Sequence, residues 1–249
     1  MGGDAIEVAG WRPCVVIPTY DNPQTIERVV GDVQAHLRDV FVVDDGGSEA
    51  AKAALERLKL VAGVRVHHRV VNGGKGAAVK DGLRLALAEG FTHALQVDAD
   101  GQHALEDVPK LLEAARTRPE ALVLGKPVFD DTAPKARLWG RKVSVFWVWL
   151  ETLGKRGKIE DPLCGFRVYP LEAAVAVRVR GDRMDFDPEI AVRLVWMGLE
   201  VVNVPTEVRY VPEEEGGVSH YRAFWDNFLV SLLHARLTIV RYLGLSRWL

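Results

Sequence analysis

The chain has 249 residues, 48% hydrophobic and 27% charged, with a formal net charge of -2, a length that supports one substantial core and makes two complete enzyme domains unexpected. The near-neutral balance excludes a general nucleic-acid binder, whose affinity would come from a basic surface. Cys14 and Cys164 are the only cysteines and have no metal ligand at zinc-like spacing, so buried thiols in a reduced compartment are expected.

Short apolar runs alternate with amphipathic stretches through the first half, the pattern of parallel strands joined by crossover helices. "CVVIP" predicts a first strand, and Ile26, Val29, Val30, Val33 and Leu37 recur at helical spacing between Pro23 and Leu37. "DVFVVDD" predicts a second strand, followed by a helix from Ser48 to Leu60. "VRVHHRVV" predicts a third, followed by a helix from Gly76 to Ala88, and "THALQVDAD" a fourth. The second half is less regular. After "ALVLG" come a Trp-rich helix around Leu138 to Leu153, the polar loop "GKRGKIED" and a strand-like "CGFRVYP". A helix from Pro188 to Met197, the strand "EVVNVPTEVRYV", the turn "PEEEGG" and a last helix from Tyr221 to Tyr242 complete the chain.

Four strand ends carry residues able to handle a ligand: Pro18, Thr19 and Tyr20; Asp44 and Asp45; Asn72 to Gly76; Asp98 and Asp100. Ligands of open α/β sheets sit at the carboxyl ends of the strands, so these four ends are expected to converge on one site. Asp98 and Asp100 flank Ala99, which sends both carboxylates to one side before the sharp turn that Gly101 permits. That suits Mg2+ or Mn2+, which take oxygen ligands and complete their shell with substrate phosphates, and Gln102 can add a carbonyl. A lone D-x-D can equally be a solvated acidic turn.

"VVDDGGS" offers carboxylates that can accept a base N–H or hold a ribose hydroxyl, although Ser48 or Asp45 can also cap the next helix. "NGGKGAAV" is expected to present backbone N–H groups and Lys75 to an anion. It is not a Walker loop, because Arg69 stands where the first glycine should be and no Ser or Thr follows Lys75. No G-x-G-x-x-G follows the first strand, which argues against a nicotinamide-binding domain.

Transfer of a group onto a hydroxyl needs a carboxylate to take the proton. Asp187 and Glu189 in "DFDPEI", and Asp161 before Pro162, are the candidates, with helix capping and turn formation as the plainer alternatives. Arg167 follows "DPLCGF". His220, in "GGVSHYR", can meet a diphosphate or a cation, or be a surface residue; His67, His68 and His93 are background. The Trp-rich helix joins Trp139, Phe146, Trp147 and Trp149 to Arg137, Arg141, Lys142, Lys155, Arg156 and Lys158. The last helix joins Phe224, Trp225, Phe228, Leu232 and Leu233 to Arg222, Arg236 and Arg241. Such helices can lie in a membrane interface, or pack on the body of the protein or on a second subunit. No segment reaches the roughly 18 apolar residues of a spanning helix. The first residues lack the basic-then-apolar pattern of a secretory signal. The expectation is a cytoplasmic protein with peripheral contact to the inner face of the cell membrane.

The ordered set "VIPTYDN", "VVDDGGS", "NGGKGAA", "QVDADGQH", "DPLCGFRVY" and "GVSHY" resembles family 2 glycosyltransferases, nearest to their dolichyl-phosphate mannose synthase-like branch. The resemblance implies a GT-A fold, a Rossmann-like and mostly parallel sheet flanked by helices, and inverting transfer of a hexose from a UDP- or GDP-sugar. Carried over residue by residue, it implies that Pro18, Tyr20, Asp21 and Asp45 contact the nucleoside with Lys75 close by. Asp98 would touch ribose or metal, and Asp100 and Gln102 would bind the cation. Together, residues and resemblance give a nucleotide-sugar set of Pro18, Thr19, Tyr20, Asp21, Asp44, Asp45, Lys75, Asp98, Ala99, Arg167 and His220, and a cation set of Asp98, Asp100 and Gln102.

Residues 12–125 are expected to bind the nucleotide sugar, 126–222 the acceptor, and 223–249 to form an amphipathic helix, all within one domain of 1–249. Polyprenyl-phosphate members resemble one another in an Arg before the G-x-S turn and a Lys after it. Here Glu213, Glu214 and Glu215 precede the turn and His220 replaces the Lys, so a lipid-like or envelope-precursor acceptor is expected ahead of a polyprenyl phosphate. The competing readings are a non-catalytic nucleotide-sugar-binding protein at a membrane and a sugar-1-phosphate nucleotidyltransferase. The latter lacks its Gly-Thr-Arg loop after the first strand.

Overall fold

The computed structural model describes residues 10–128, 135–208 and 223–244, with the side chains of 135–139 and 223–227 left aside. Apolar runs make the strands, and those at the centre of the sheet are buried on both faces, as parallel sheets require. The strands are β1 (Pro13–Thr19), β2 (Val40–Asp44), β3 (Val64–His68), β4 (His93–Gln96), β5 (Leu122–Val128), β6 (Arg167–Pro170) and β7 (Val201–Glu207). They form one seven-stranded sheet in the order β3-β2-β1-β4-β6-β5-β7. All neighbours are parallel except β6, which runs antiparallel to both β4 and β5.

Helices α1 (Ile26–Gln34), α2 (Glu49–Leu58), α3 (Lys75–Ala88), α4 (Val108–Thr117), α5 (Lys135–Glu151), α6 (Leu171–Ala176), α7 (Phe186–Met197) and α8 (Ala223–Tyr242) cover the sheet. Alternate strand residues feed two cores. Val15, Ile17 and Val42 pack with Ile26, Val29, Leu55 and Leu111 of α1, α2 and α4. Val16 and Phe41 pack with Val79, Leu83, Phe186 and Ile190 of α3 and α7, and this second core extends to Leu233 and Leu237 of α8.

The observed elements depart from the sequence reading in several places. The fourth strand stops at Gln96, so Asp98 and Asp100 of the predicted run "THALQVDAD" lie in the turn beyond it and not on the strand. The third strand stops at His68, which pairs with the last residue of β2, and Val70 and Val71 of the predicted run are 98% and 72% exposed. Helix α4 and the short α6 stand where no helix was assigned. Helix α4 begins with Pro109 in its first turn and buries Val108, Leu111 and Ala115, a stripe too short to stand out from its surroundings. The antiparallel β6 brings residues beyond 125 into the sheet that carries the first four strands, between β4 and β5. That insertion sets Arg167 opposite Gln96, which matters for the site.

Candidate active site

The carboxyl ends of β1, β2 and β4 and the turn after β3 meet along one edge of the sheet. At its centre the Lys75 ammonium, on the first residue of α3, lies 2.8 Å from Asp98 Oδ1 and 2.9 Å from Asp187 Oδ2. Three segments far apart in sequence are thereby tied together: the glycine turn, the end of β4 and the start of α7. The Asp98 side chain is 22% exposed and that of Asp187 only 5%, so the open side of the cluster is at Asp98. Burial opposes the ammonium, but the Asp187 and Asp98 charges outweigh it and hold Lys75 above its ordinary range. Burial likewise opposes the Asp98 carboxylate, and Lys75 with His103 outweigh it and hold its pKa below the usual range.

Asp100 is the opposite case. Burial first, and the Asp98 charge second, raise its pKa. Its Oδ1 accepts the Gln102 N–H at 3.0 Å, and among the described residues no Lys, Arg or His forms an ion pair with it. Two neighbouring carboxylates, one without a cationic partner, form a hard oxygen donor set with negative charge to neutralise. These residues fit a divalent cation such as Mg2+ or Mn2+. Among the described residues no third His, Cys, Asp or Glu joins them as a ligand cluster, so a cation held here would have to take the rest of its shell from other ligands, such as phosphate and water.

Two residues of this corner were not singled out from the sequence. His103 Nε2 lies 3.3 Å from Asp98 Oδ2, and its ring stacks on Phe166 with centroids 5.0 Å apart. Its place three residues after Asp100 was the available signal. Gly165 lies so close to Asp98 that a Cβ would stand 2.3 Å from Oδ2, so only glycine lets the "DPLCGF" loop run against that carboxylate.

The glycine turn departs from expectation in one respect. Its N–H groups do receive an anion, but the anion is the protein's own Asp45 carboxylate, whose Oδ1 accepts the Gly73 N–H at 2.9 Å and Oδ2 the Gly74 N–H at 2.6 Å. Arg69 pairs with the same carboxylate. Gly74 adopts φ 103°, and a Cβ there would stand 2.5 Å from the Asp182 carbonyl oxygen, so the turn is packed against the loop that leads into α7. Asp44 Oδ1 accepts the Gly47 N–H at 2.8 Å, and its Oδ2 lies 2.9 Å from His68 Nδ1. Asp21 sits at φ 51° and accepts the Ser48 N–H at 2.6 Å, while Ser48 caps α2. Thr25 ties the start of α1 to the acidic pair by donating to the Ala99 carbonyl at 2.6 Å. Pro18 and Thr19 are buried and Tyr20 is exposed beside them.

The three carboxylates considered for proton transfer occupy different surroundings. Asp187 adjoins Lys75. Glu189 is fully buried, with Oε1 2.7 Å from Arg193 Nε and Oε2 accepting the Gly181 N–H at 2.8 Å and pairing with Arg236 at 2.7 Å. Asp161 Oδ1 accepts the Leu163 and Cys164 N–H groups, both at 2.9 Å, and Oδ2 pairs with Arg141. Arg167 is also fully buried and donates to the carbonyl oxygens of Cys164, Asp187 and Pro162, binding the "DPLCGF" loop to the start of α7. His220, Glu213, Glu214, Glu215, Arg222 and the side chains of Arg137, Trp139, Phe224 and Trp225 lie outside the described residues.

The family model described as Glycosyl transferase family 2 matches residues 14–174. Polyprenol monophosphomannose synthase of Mycolicibacterium smegmatis is 30% identical over 223 residues, which span 84% of this chain and 80% of that protein. Undecaprenyl-phosphate mannosyltransferase of Micrococcus luteus is 28% identical over 82% of this chain and 86% of its own length. Among solved structures, glucosyl-3-phosphoglycerate synthase from Mycobacterium tuberculosis in complex with Mn2+, UDP-glucose and glycerol 3-phosphate matches with a TM-score of 0.64. It is 18% identical, and the match spans 92% of this chain and 81% of that one. At that identity the likeness establishes the shared fold.

Replacing Lys75 by Met leaves Asp98 and Asp187 without their shared cation and is expected to lower stability at neutral pH by about 3 kcal/mol. Because the pair holds the Asp98 pKa down, its stabilisation is complete above the ordinary carboxyl range and is lost as pH falls through the folded-state value. The gap between wild type and Lys75→Met should therefore narrow as pH drops from about 5 to 3 in urea-unfolding curves. A gap that stays constant across that range would contradict the ion pair.

Proposed function

The chain belongs to glycosyl transferase family 2, and from that premise we propose that it moves a hexose from a UDP- or GDP-sugar to a lipid acceptor with inversion at the anomeric carbon. The observation that carries this reading is the Lys75 bridge between Asp98 and Asp187, with Asp100 beside it and, among the described residues, without an ion-pair partner. In this reading Asp98, Asp100 and Gln102 hold Mg2+ or Mn2+, which when bound neutralises charge on the departing diphosphate. Lys75 adds a fixed positive charge at the same place, anchored from behind by Asp187. Pro18, Thr19, Tyr20, Asp21, Asp44, Asp45 and Ala99 border the strand ends where the nucleoside would lie. Asp44 and Asp45 also fix the loops around it.

The acceptor we favour is a polyprenyl phosphate, because two relatives similar over most of the chain are named for such transfers. A phosphate oxygen attacks without first losing a proton, so Asp187 then serves to hold Lys75. The second reading, a hydroxyl on an amphipathic lipid, is favoured by the carboxylates of Glu213, Glu214 and Glu215 ahead of the "GVSHY" turn, which oppose a phosphate. In that case Asp187 is the proton acceptor we favour, since of the three carboxylates it is the one that adjoins the cluster of Lys75 and Asp98, while Glu189 and Asp161 hold loops and helices elsewhere.

Helices α5 and α8 are proposed to meet the lipid at the inner face of the membrane. Val143, Phe146, Trp149 and Leu153, and on α8 Phe228, Leu232, Ile239 and Tyr242, are exposed, and exposed Lys142, Lys155, Arg156 and Lys158 stand beside them. Among the described residues no helix is long and apolar enough to cross a membrane, so the contact would be interfacial.

Incubation of UDP- and GDP-hexoses with Mn2+ or Mg2+ should give, at inverted configuration, a hexosyl undecaprenyl phosphate from undecaprenyl phosphate or, on the second reading, a hexosyl diacylglycerol from diacylglycerol, and no product in EDTA. Product formed equally well in EDTA, or hydrolysis of a nucleoside triphosphate instead, would contradict the assignment. In co-sedimentation the protein should pellet with vesicles containing anionic phospholipid, and the double variant Phe146→Ser, Trp149→Ser should remain in the supernatant. If that variant pellets like wild type, the α5 face is not the membrane contact.

A further inference from the structure

Behind the cluster, the sheet carries two polar side chains that no step of the proposed transfer uses. Gln96, the last residue of β4, and Tyr169, in β6, are both fully buried. Gln96 pairs across the sheet with Arg167, and Tyr169 is two residues beyond Arg167, so all three project from one face of the sheet. That face packs against α3 and α7. The Tyr169 hydroxyl donates to Gln96 Oε1 at 3.0 Å, and Gln96 Nε2 donates to Asp187 Oδ1 at 3.2 Å. Asp187 Oδ2 then accepts from Lys75 at 2.9 Å. An unbroken chain of hydrogen bonds thus runs from the middle of the sheet to the ammonium that faces Asp98.

Each link has a definite direction. Burial holds the Tyr169 phenol well above its ordinary pKa, so it donates. Its proton on Oε1 fixes which end of the amide faces Asp187; the reversed amide would set a carbonyl oxygen against a carboxylate. On Asp187 Oδ1 the other near donor is Arg167 Nε at 3.9 Å, too far for a hydrogen bond. Without Gln96, Lys75 would be the one hydrogen-bond donor to the carboxylate among the described residues, with Arg167 at ion-pair distance only, and the terminal torsion of Asp is soft. A buried amide and hydroxyl cost stability unless paired, and apolar residues such as Val16 and Leu122 fill the rest of this core. Packing alone therefore gives no reason for a polar pair here.

We propose that Gln96 and Tyr169 are positioning residues of the transfer reaction, which lock the rotation of Asp187 so that Lys75 is held against Asp98. The proposal rests on the reading of Lys75 and Asp98 as part of the donor site. It gives the residues no contact with substrate; they act through Asp187 and Lys75. Supporting groups of this kind commonly alter activity by 10-fold or more when removed.

The test is steady-state kinetics of Gln96→Leu, Tyr169→Phe, Lys75→Met and the double variant Gln96→Leu, Lys75→Met, with thermal midpoints measured alongside. Gln96→Leu should lower kcat by about tenfold with donor KM within about twofold of wild type, and Tyr169→Phe should move kcat in the same direction by less. In the Lys75→Met background, Gln96→Leu should change kcat by less than about twofold, since the group it positions is gone. Tyr169→Phe keeps the core volume and decides the matter should Gln96→Leu fold poorly; the split between kcat and KM in these single variants decides it should Lys75→Met show no turnover. Wild-type kcat in both single variants, or losses that multiply fully with Lys75→Met, would overturn the positioning role while leaving the donor site intact. Full activity in Lys75→Met would instead contradict the donor-site reading itself.

Discussion

The structure depends on one ammonium held between two carboxylates. Lys75 and Asp187 are largely enclosed by protein and Asp98 closes the open side of the cluster; burial opposes the charges of Lys75 and Asp98 there. The ion pairs outweigh that penalty and keep Lys75 and Asp98 charged, and the arrangement exists only if α3, the end of β4 and the start of α7 hold their places. The glycine turn is bent tightly enough to deliver Lys75 because Asp45 gathers its N–H groups. Arg167 fastens the start of α7 to the loop after Asp161. Much of the polar machinery near the sheet edge thus serves to fix this ion cluster, and the acidic pair at its open side is what remains available to a ligand.

The topology supplies the rest. An all-parallel sheet would bring β5 directly beside β4, and the "DPLCGF" loop would have no course back to Asp98. The antiparallel β6 between them returns the chain to the carboxyl end of β4, where Gly165 touches Asp98 and Phe166 stacks on His103. The same strand sends Arg167 and Tyr169 to the face that carries Gln96. One inserted strand therefore connects Asp98 and His103 to residues more than sixty positions away.

How far the sequence disclosed this can be judged residue by residue. The convergence of strand ends was legible because β1, β2 and β4 are apolar runs that stop at Thr19, Asp44 and just before Asp98, a local signal. Partners across the fold were not legible. Nothing local tells that Asp45 will take the N–H groups of Gly73 and Gly74, or that the glycines at 74 and 165 are required by close approach to Asp182 and Asp98. Glu189 and Asp161 carried the same carboxylate signal as Asp187, and only tertiary contacts separate them: one is enclosed by Arg193 and Arg236, one caps a loop, and one faces Lys75. Gln96 looked like an ordinary strand residue, since its role arises from a strand that pairs with it from far along the chain.

The central claim is that the acidic pair beyond β4 takes a divalent cation which in turn binds the diphosphate of the donor. Calorimetric titration of UDP and GDP into the wild type and Asp100→Asn, each with Mn2+ and with EDTA, tests it most directly. The account predicts that Mn2+ tightens nucleotide binding to the wild type by about tenfold or more, some 1.4 kcal/mol, and leaves binding to the variant unchanged. Equal affinity with and without Mn2+ in the wild type, or an undiminished Mn2+ effect in the variant, would contradict it.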